Sequence, residues 1–178
     1  VGMNIGDSAL YFLNCRNVEK VYGYEPFKDT YLCAKNNLKE YLCDSKRIEI
    51  FQYGISFENG IRLIGFNKNM SCGQSSLPDV RNRAYEWYKT MNLVQSENEE
   101  NEKIEVRAAS EVFFPIIQRH TNCNIILKMD CEGEEYGIIA ELSQNGVLEK
   151  FCFIMLEWHY EGKDRILKYL NQSLLQGL

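Results

Sequence analysis

Gly2-Met3-Asn4-Ile5-Gly6-Asp7 runs directly into Ser8-Ala9-Leu10-Tyr11-Phe12, a turn with two glycines feeding a helical pattern. Glycine lacks Cβ, so such a turn can bend sharply and bring main-chain N–H groups close to a ligand. The next strand-like run, Val18 to Tyr24, is followed at once by Glu25. An acidic residue about 20 positions past the glycines is where nucleotide-binding α/β folds hold a ribose through its hydroxyls. The combination predicts an α/β domain in which the bend at Gly2 and Gly6 lets a nucleotide-type ligand touch the main chain and Glu25 holds its ribose. Asp7 has two readings that stay open: ligand contact, or capping of the helix N-terminus, where a negative charge is favoured.

Outward from this turn, strands and helices alternate, as in a mostly parallel sheet covered on both faces. A helix is expected from Phe27 to Tyr41, with Pro26 just ahead of it. Arg47 to Ile55 reads as a strand, and Phe57 to Phe66 as a hairpin around Asn59-Gly60. From Asn67 to Lys103 the pattern is irregular, with an aromatic segment (Tyr85, Trp87, Tyr88) and an acidic run (Glu97, Glu99, Glu100, Glu102) that reads as a solvated loop. Strands follow at Ile104–Arg107, Asn124–Met129 and Phe151–Leu156, the last read as buried. Helices begin near Ser110, after Glu135 and near Ile166. The turn should follow a strand, yet the sequence opens inside it. The fold class expected is therefore a Rossmann-like, doubly wound α/β domain over residues 1–178 that lacks its first strand and its closing strands, as a piece of a longer chain would.

With 178 residues, 45% of them hydrophobic, the chain is long enough to bury a core as one domain. A net charge of −5 gives no basic footprint for nucleic acid. No apolar run reaches bilayer length, so no membrane partner is expected. Seven cysteines without a C-x-x-C pair argue against a zinc ribbon or a secreted disulfide framework, and read as buried free thiols of a cytoplasmic protein. Only two histidines, His120 and His159, speak against a His-rich metal site, and no metal is expected.

Lys128-Met129-Asp130-Cys131-Glu132-Gly133-Glu134-Glu135 carries the second set of candidates. On a strand Lys128, Asp130 and Glu132 share one face. Asp130 falls at the carboxyl end, where open α/β sheets bind ligands. A carboxylate there can orient a substrate hydroxyl, act as base, or contact a cofactor amine. Glu132 can do the same or satisfy backbone N–H groups at the helix start. Lys128 is expected to pair with one of these acids, and Glu135 to support the turn. Glu157 and His159 share a face at the same edge, and His159 has two readings that stay open: a neutral imidazole that accepts a proton or contacts substrate, or a structural hydrogen-bonding residue.

These segments, in this order, resemble the FkbM family of S-adenosylmethionine-dependent methyltransferases. The resemblance rests on Val1 to Leu10, Tyr24-Glu25-Pro26, Lys128 to Glu135, Glu157-Trp158-His159 and, less closely, Gly73-Gln74-Ser75-Ser76-Leu77. It implies S-adenosylmethionine as cofactor and a hydroxyl of a sugar or natural-product-like small molecule as acceptor. Asp130, Glu132 and His159 are then the catalytic candidates. Gly2, Asn4, Gly6, Asp7, Glu25 and Asp130 are the cofactor-binding ones. Two other readings stay open: a nicotinamide-dependent oxidoreductase, disfavoured because Gly2-x-Asn4-x-Gly6 departs from G-x-G-x-x-G spacing, and a non-catalytic module on the same fold.

Overall fold

The computed structural model describes residues 1–43, 46–66, 82, 86, 89–91, 100–157, 159, 164 and 166–170. They form an α/β fold with parallel and antiparallel pairing, an arrangement consistent with a Rossmann-like one. Helix α1 is Asp7–Asn14, strand β1 Val21–Tyr24, α2 Lys28–Asn37, α3 Lys39–Leu42, β2 Ile48–Phe51, β3 Gly54–Ser56 and β4 Gly60–Phe66. Strand β5 is Glu100–Ala108, α4 Ala109–Arg119, β6 Ile126–Met129, α5 Glu135–Gln144, a 3-10 turn Leu148–Lys150, and β7 Phe153–Leu156. Residues 166–170 are helical.

Strand β1 pairs with β2, and β6 with β7, both in parallel. Val1 to Met3 bridge the two pairs. The Val1 nitrogen donates to the Lys128 carbonyl at 2.9 Å, Asp130 N–H to the Val1 carbonyl at 3.3 Å, and Met3 N–H to the Tyr24 carbonyl at 2.9 Å. The opening residues thus occupy a strand position between β1 and β6.

Alternation along these strands sends side chains to two cores. On one face Met3, Leu13, Ala34, Leu38 and Ile48 pack beneath α1 and α2. On the other, Tyr24, Ile55, Phe113, Leu127, Met129 and Ile139 pack with α4 and α5, joined by Ile166. Helices therefore cover both faces, as the alternating pattern predicts.

Four local expectations are corrected. The segment around Asn59-Gly60 is not a hairpin: β3 and β4 both pair with β5, which lies between them, parallel to β3 and antiparallel to β4. The acidic run is not all loop, because Glu100 and Glu102 belong to β5, and Glu102 accepts the N–H of Lys28 at the start of α2. Strand β7 is not buried throughout: Phe153 is 58% exposed and only the alternate residues Ile154 and Leu156 face the core. The six described cysteines are free, but Cys33, Cys43 and Cys152 are exposed rather than buried. The aromatic segment at Tyr85–Tyr88 and the stretch Gly73–Leu77 lie outside the described residues. Among those described, no helix is long and apolar enough to cross a membrane.

Candidate active site

The chain bends through left-handed conformations at Gly2 (φ 68°), Asn4 (φ 52°) and Gly6 (φ 89°). The demand for glycine comes from neighbouring protein. A Cβ on Gly2 would lie 1.6 Å from the carbonyl oxygen of Asp130, and one on Gly6 would lie 2.9 Å from Leu38 Cδ1. The bend is thereby fitted between the end of β6 and helix α2.

Glu25 follows β1 directly and closes the bend. Its Oε2 accepts the N–H of Asn4 at 3.0 Å and its Oε1 the N–H of Phe27 at 3.0 Å. The side chain is 5% exposed. Burial pushes its pKa up to about 7, against the two backbone N–H groups, which favour the charged form. A carboxylate oxygen accepts more than one hydrogen bond, so each oxygen keeps capacity toward the cavity beside it.

That cavity is lined by Gly2, Asn4 and Glu25 together with Asp130, Glu132 and Glu157. The sequence argument placed these two groups more than 100 residues apart. The fold brings them to one space. Gly6 and Asp7 do not line it. Asp7 stands in the first turn of α1, where its Oδ1 accepts the N–H of Ser8 at 2.8 Å. Gly6 is the cap residue and no side chain makes a capping hydrogen bond, so Asp7 contributes a negative charge in the first turn rather than a cap.

Asp130 lies one residue beyond β6. Its Oδ2 accepts from Lys128 Nζ at 2.9 Å, the pairing expected on a shared strand face. The turn after it is tight: Glu132 has φ 55° and Gly133 φ 108°. A left-handed glutamate is unusual, and here it turns the carboxylate toward His159. Glu135, 2% exposed, holds the turn by accepting the N–H groups of Cys131 (2.8 Å) and Gly133 (2.7 Å). Glu135 thus satisfies backbone N–H groups in the turn before α5. Burial would raise the Glu135 pKa, but its bonds to His159 and the backbone outweigh this and lower it.

His159 Nδ1 lies 3.1 Å from Glu135 Oε1. Nε2 faces Asp130 Oδ1 at 3.5 Å, Glu132 Oε2 at 3.6 Å and Glu157 Oε1 at 3.7 Å. The bond to Glu135 and the surrounding carboxylates raise its pKa to about 9, against partial desolvation. The imidazole is thus held toward its protonated form, first by the bond to Glu135 and then by the charges of Glu132 and Asp130.

A second group went unforeseen. Arg62 lines the cavity, bonds Glu134 Oε1, and donates to Ser56 Oγ at 2.6 Å. Ser56, fully buried, donates to Glu134 Oε2 at 2.9 Å. The signal was the inverted pattern of β4. Ile61 and Leu63 point outward, 68% and 62% exposed, and Arg62 shares the inward face with buried Ile64.

The Methyltransferase FkbM domain matches residues 1–174. No curated protein and no solved structure matches the chain. A bend closed by a buried acid borders a cavity that also holds a carboxylate at a strand end, the edge where open α/β sheets bind ligands. With a match over nearly its whole length, the chain belongs to the FkbM family of S-adenosylmethionine-dependent methyltransferases.

Proposed function

We propose that the acceptor is a hydroxyl on a small polar molecule, a sugar or natural product, and that Asp130 carries its activation. The order β2, β1, Val1–Met3, β6, β7 supports reading the fold as the doubly wound type in which ligands lie at the carboxyl ends of the strands. Glu25 would take the ribose hydroxyls. Gly2 and Asn4 would border the cofactor's amino-acid end, with Gly6 and Asp7 shaping the bend behind them. When bound, S-adenosylmethionine supplies the electrophilic methyl group and the leaving sulfur.

The protein's own task is to align the acceptor oxygen and take its proton. Asp130 lines the same cavity as Glu25, with Lys128 on one oxygen and the other facing His159. Glu132 and the His159 imidazole border that oxygen and fix its surroundings. A protonated imidazole cannot serve as base, so the reading gives proton acceptance to Asp130 and positioning to His159. The observation that carries the proposal is this juxtaposition of Asp130 with Glu25 in one cavity.

The test offers labelled S-adenosylmethionine with panels of hydroxyl, amine and carboxylate acceptors. Transfer to hydroxyls is expected, with Asp130→Asn lowering kcat by about 100-fold or more. Transfer confined to amines or carboxylates would overturn the reading.

A pH dependence follows from Glu25. Only its ionised form accepts two ribose hydroxyls, and burial holds its pKa near 7. Below that pH the carboxyl must first lose its proton. Affinity for S-adenosylhomocysteine is therefore expected to rise about tenfold from pH 6 to pH 8 and then level off. Calorimetry at both pH values checks this, and equal affinity at both removes Glu25 from the ribose.

A further inference from the structure

We propose that Asp130, Glu132 and His159 form a binding site for a divalent cation of the Mn2+ type. The inference rests on the same cavity as the transferase reading but not on the transfer itself. The carboxylate oxygens of Asp130 and Glu132 and one imidazole nitrogen all lie within 4.8 Å of one another. Nε2 stands 3.5 Å from Asp130 Oδ1 and 3.6 Å from Glu132 Oε2. Both separations exceed an ordinary N–H···O bond of about 2.7 to 3.2 Å. They match ligand atoms around one ion: at bond lengths of about 2.1 Å, octahedral ligands lie about 3.0 to 4.2 Å apart.

The supporting contacts are those of a ligand set. A metal-binding histidine uses one nitrogen on the metal and gives the other N–H to a carboxylate, which fixes ring and tautomer. Glu135 stands in that position, 3.1 Å from Nδ1, and is itself anchored by two backbone N–H groups. Nε2 faces oxygens of Asp130, Glu132 and Glu157, and an ion bound there takes the place of the imidazolium proton while Nδ1–H stays on Glu135. Lys128 holds the other oxygen of Asp130 and leaves Oδ1 turned to the gap. The side chains of Asp130 and Glu132 are 29% and 21% exposed, so an ion has access. One imidazole with two carboxylates is an oxygen-rich donor set that suits Mn2+, a hard ion that also accepts an imidazole, with positions left open for an acceptor oxygen. The shortage of histidines in the sequence does not bear on such a site, because one suffices.

The experiment titrates the chelator-treated, dialysed full chain with Mn2+ and follows free ion by electron paramagnetic resonance. One saturable site is expected. His159→Ala and Glu132→Gln should each weaken it about tenfold or more, with circular dichroism and melting close to the parent. Glu132→Gln keeps the side-chain volume, so it guards against loss of fold in the other variant. Absence of saturable binding, or equal binding in the parent and both folded variants, overturns the site. Full methyl transfer in chelator with no Mn2+ site would sink the ion and leave the transferase reading standing. A Mn2+ site in a chain that methylates no hydroxyl would do the reverse.

Discussion

Replacing Gly2 with alanine is expected to destabilise the protein by more than about 4 kcal/mol, the largest effect of any single methyl group added to the bend. The added Cβ would fall 1.6 Å from the Asp130 carbonyl oxygen and 2.7 Å from its carbon. Both are backbone atoms, so no side-chain rotation relieves the overlap. The residue also sits at φ 68°, which alanine adopts with strain. Relief requires the bend to move off β6, which breaks the bonds between Val1 and both Lys128 and Asp130. Those bonds join the β1–β2 pair to the β6–β7 pair, so the loss reaches both cores. For a chain of this size the melting temperature should drop by about 10 °C or more. Gly60→Ala is the control. A Cβ there meets nothing within 4 Å, and the change should stay within about 0.5 kcal/mol. A Gly2→Ala protein melting within about 2 °C of the parent would show that the bend does not press on β6.

The same contact explains what the sequence could and could not disclose. A glycine at position 2 reads as permission for a ligand to approach, but the atom that excludes a side chain belongs to Asp130, 128 positions away. Local signals were reliable where the partner was near: the helix after the bend, the strand before Glu25, and the Lys128–Asp130 pair two residues apart. They failed where pairing was distant. Asn59-Gly60 has turn chemistry, yet β4 finds its partner in β5, across residues whose acidic composition masks a strand. The hydrogen bonds of β5 to β4 and β3 settle that segment, and they leave no mark on its composition. The charge of His159 was illegible for a related reason. One histidine after an apolar strand reads as a structural hydrogen-bonding residue or a neutral base, and the carboxylates of Glu135, Glu132 and Asp130 that raise its pKa are gathered only by the fold. Arg62, Ser56 and Glu134 form their network across separations of 6, 72 and 78 residues, which no periodicity reports.

Glu25→Gln is expected to weaken S-adenosylhomocysteine binding by about 100-fold while leaving the protein folded. Hydrogen bonds to a charged acceptor contribute about 1.5 to 3 kcal/mol each, and a ribose offers two hydroxyls. Glutamine keeps one oxygen to accept the N–H of Asn4 or of Phe27, but its amide N–H2 confronts the other donor. Some stability is lost through that unsatisfied N–H. Against this, a buried charge is removed. The folded carboxyl binds its proton more tightly than the unfolded one, since burial raises its pKa from 4.5 to about 7. In the parent, folding stability therefore falls as pH rises through that window and stays lower above it. The variant lacks this decline, so at pH 8 the two effects oppose each other and the fold survives. The affinity change separates two roles for the acid. If Glu25 only ties the bend to Phe27, the variant should lose melting temperature and keep ligand affinity in proportion to the folded fraction. If it grips the ribose, affinity falls in fully folded protein, and the tenfold gain between pH 6 and pH 8 disappears with it. Calorimetry on the variant at both pH values, beside its melting curve, decides between them.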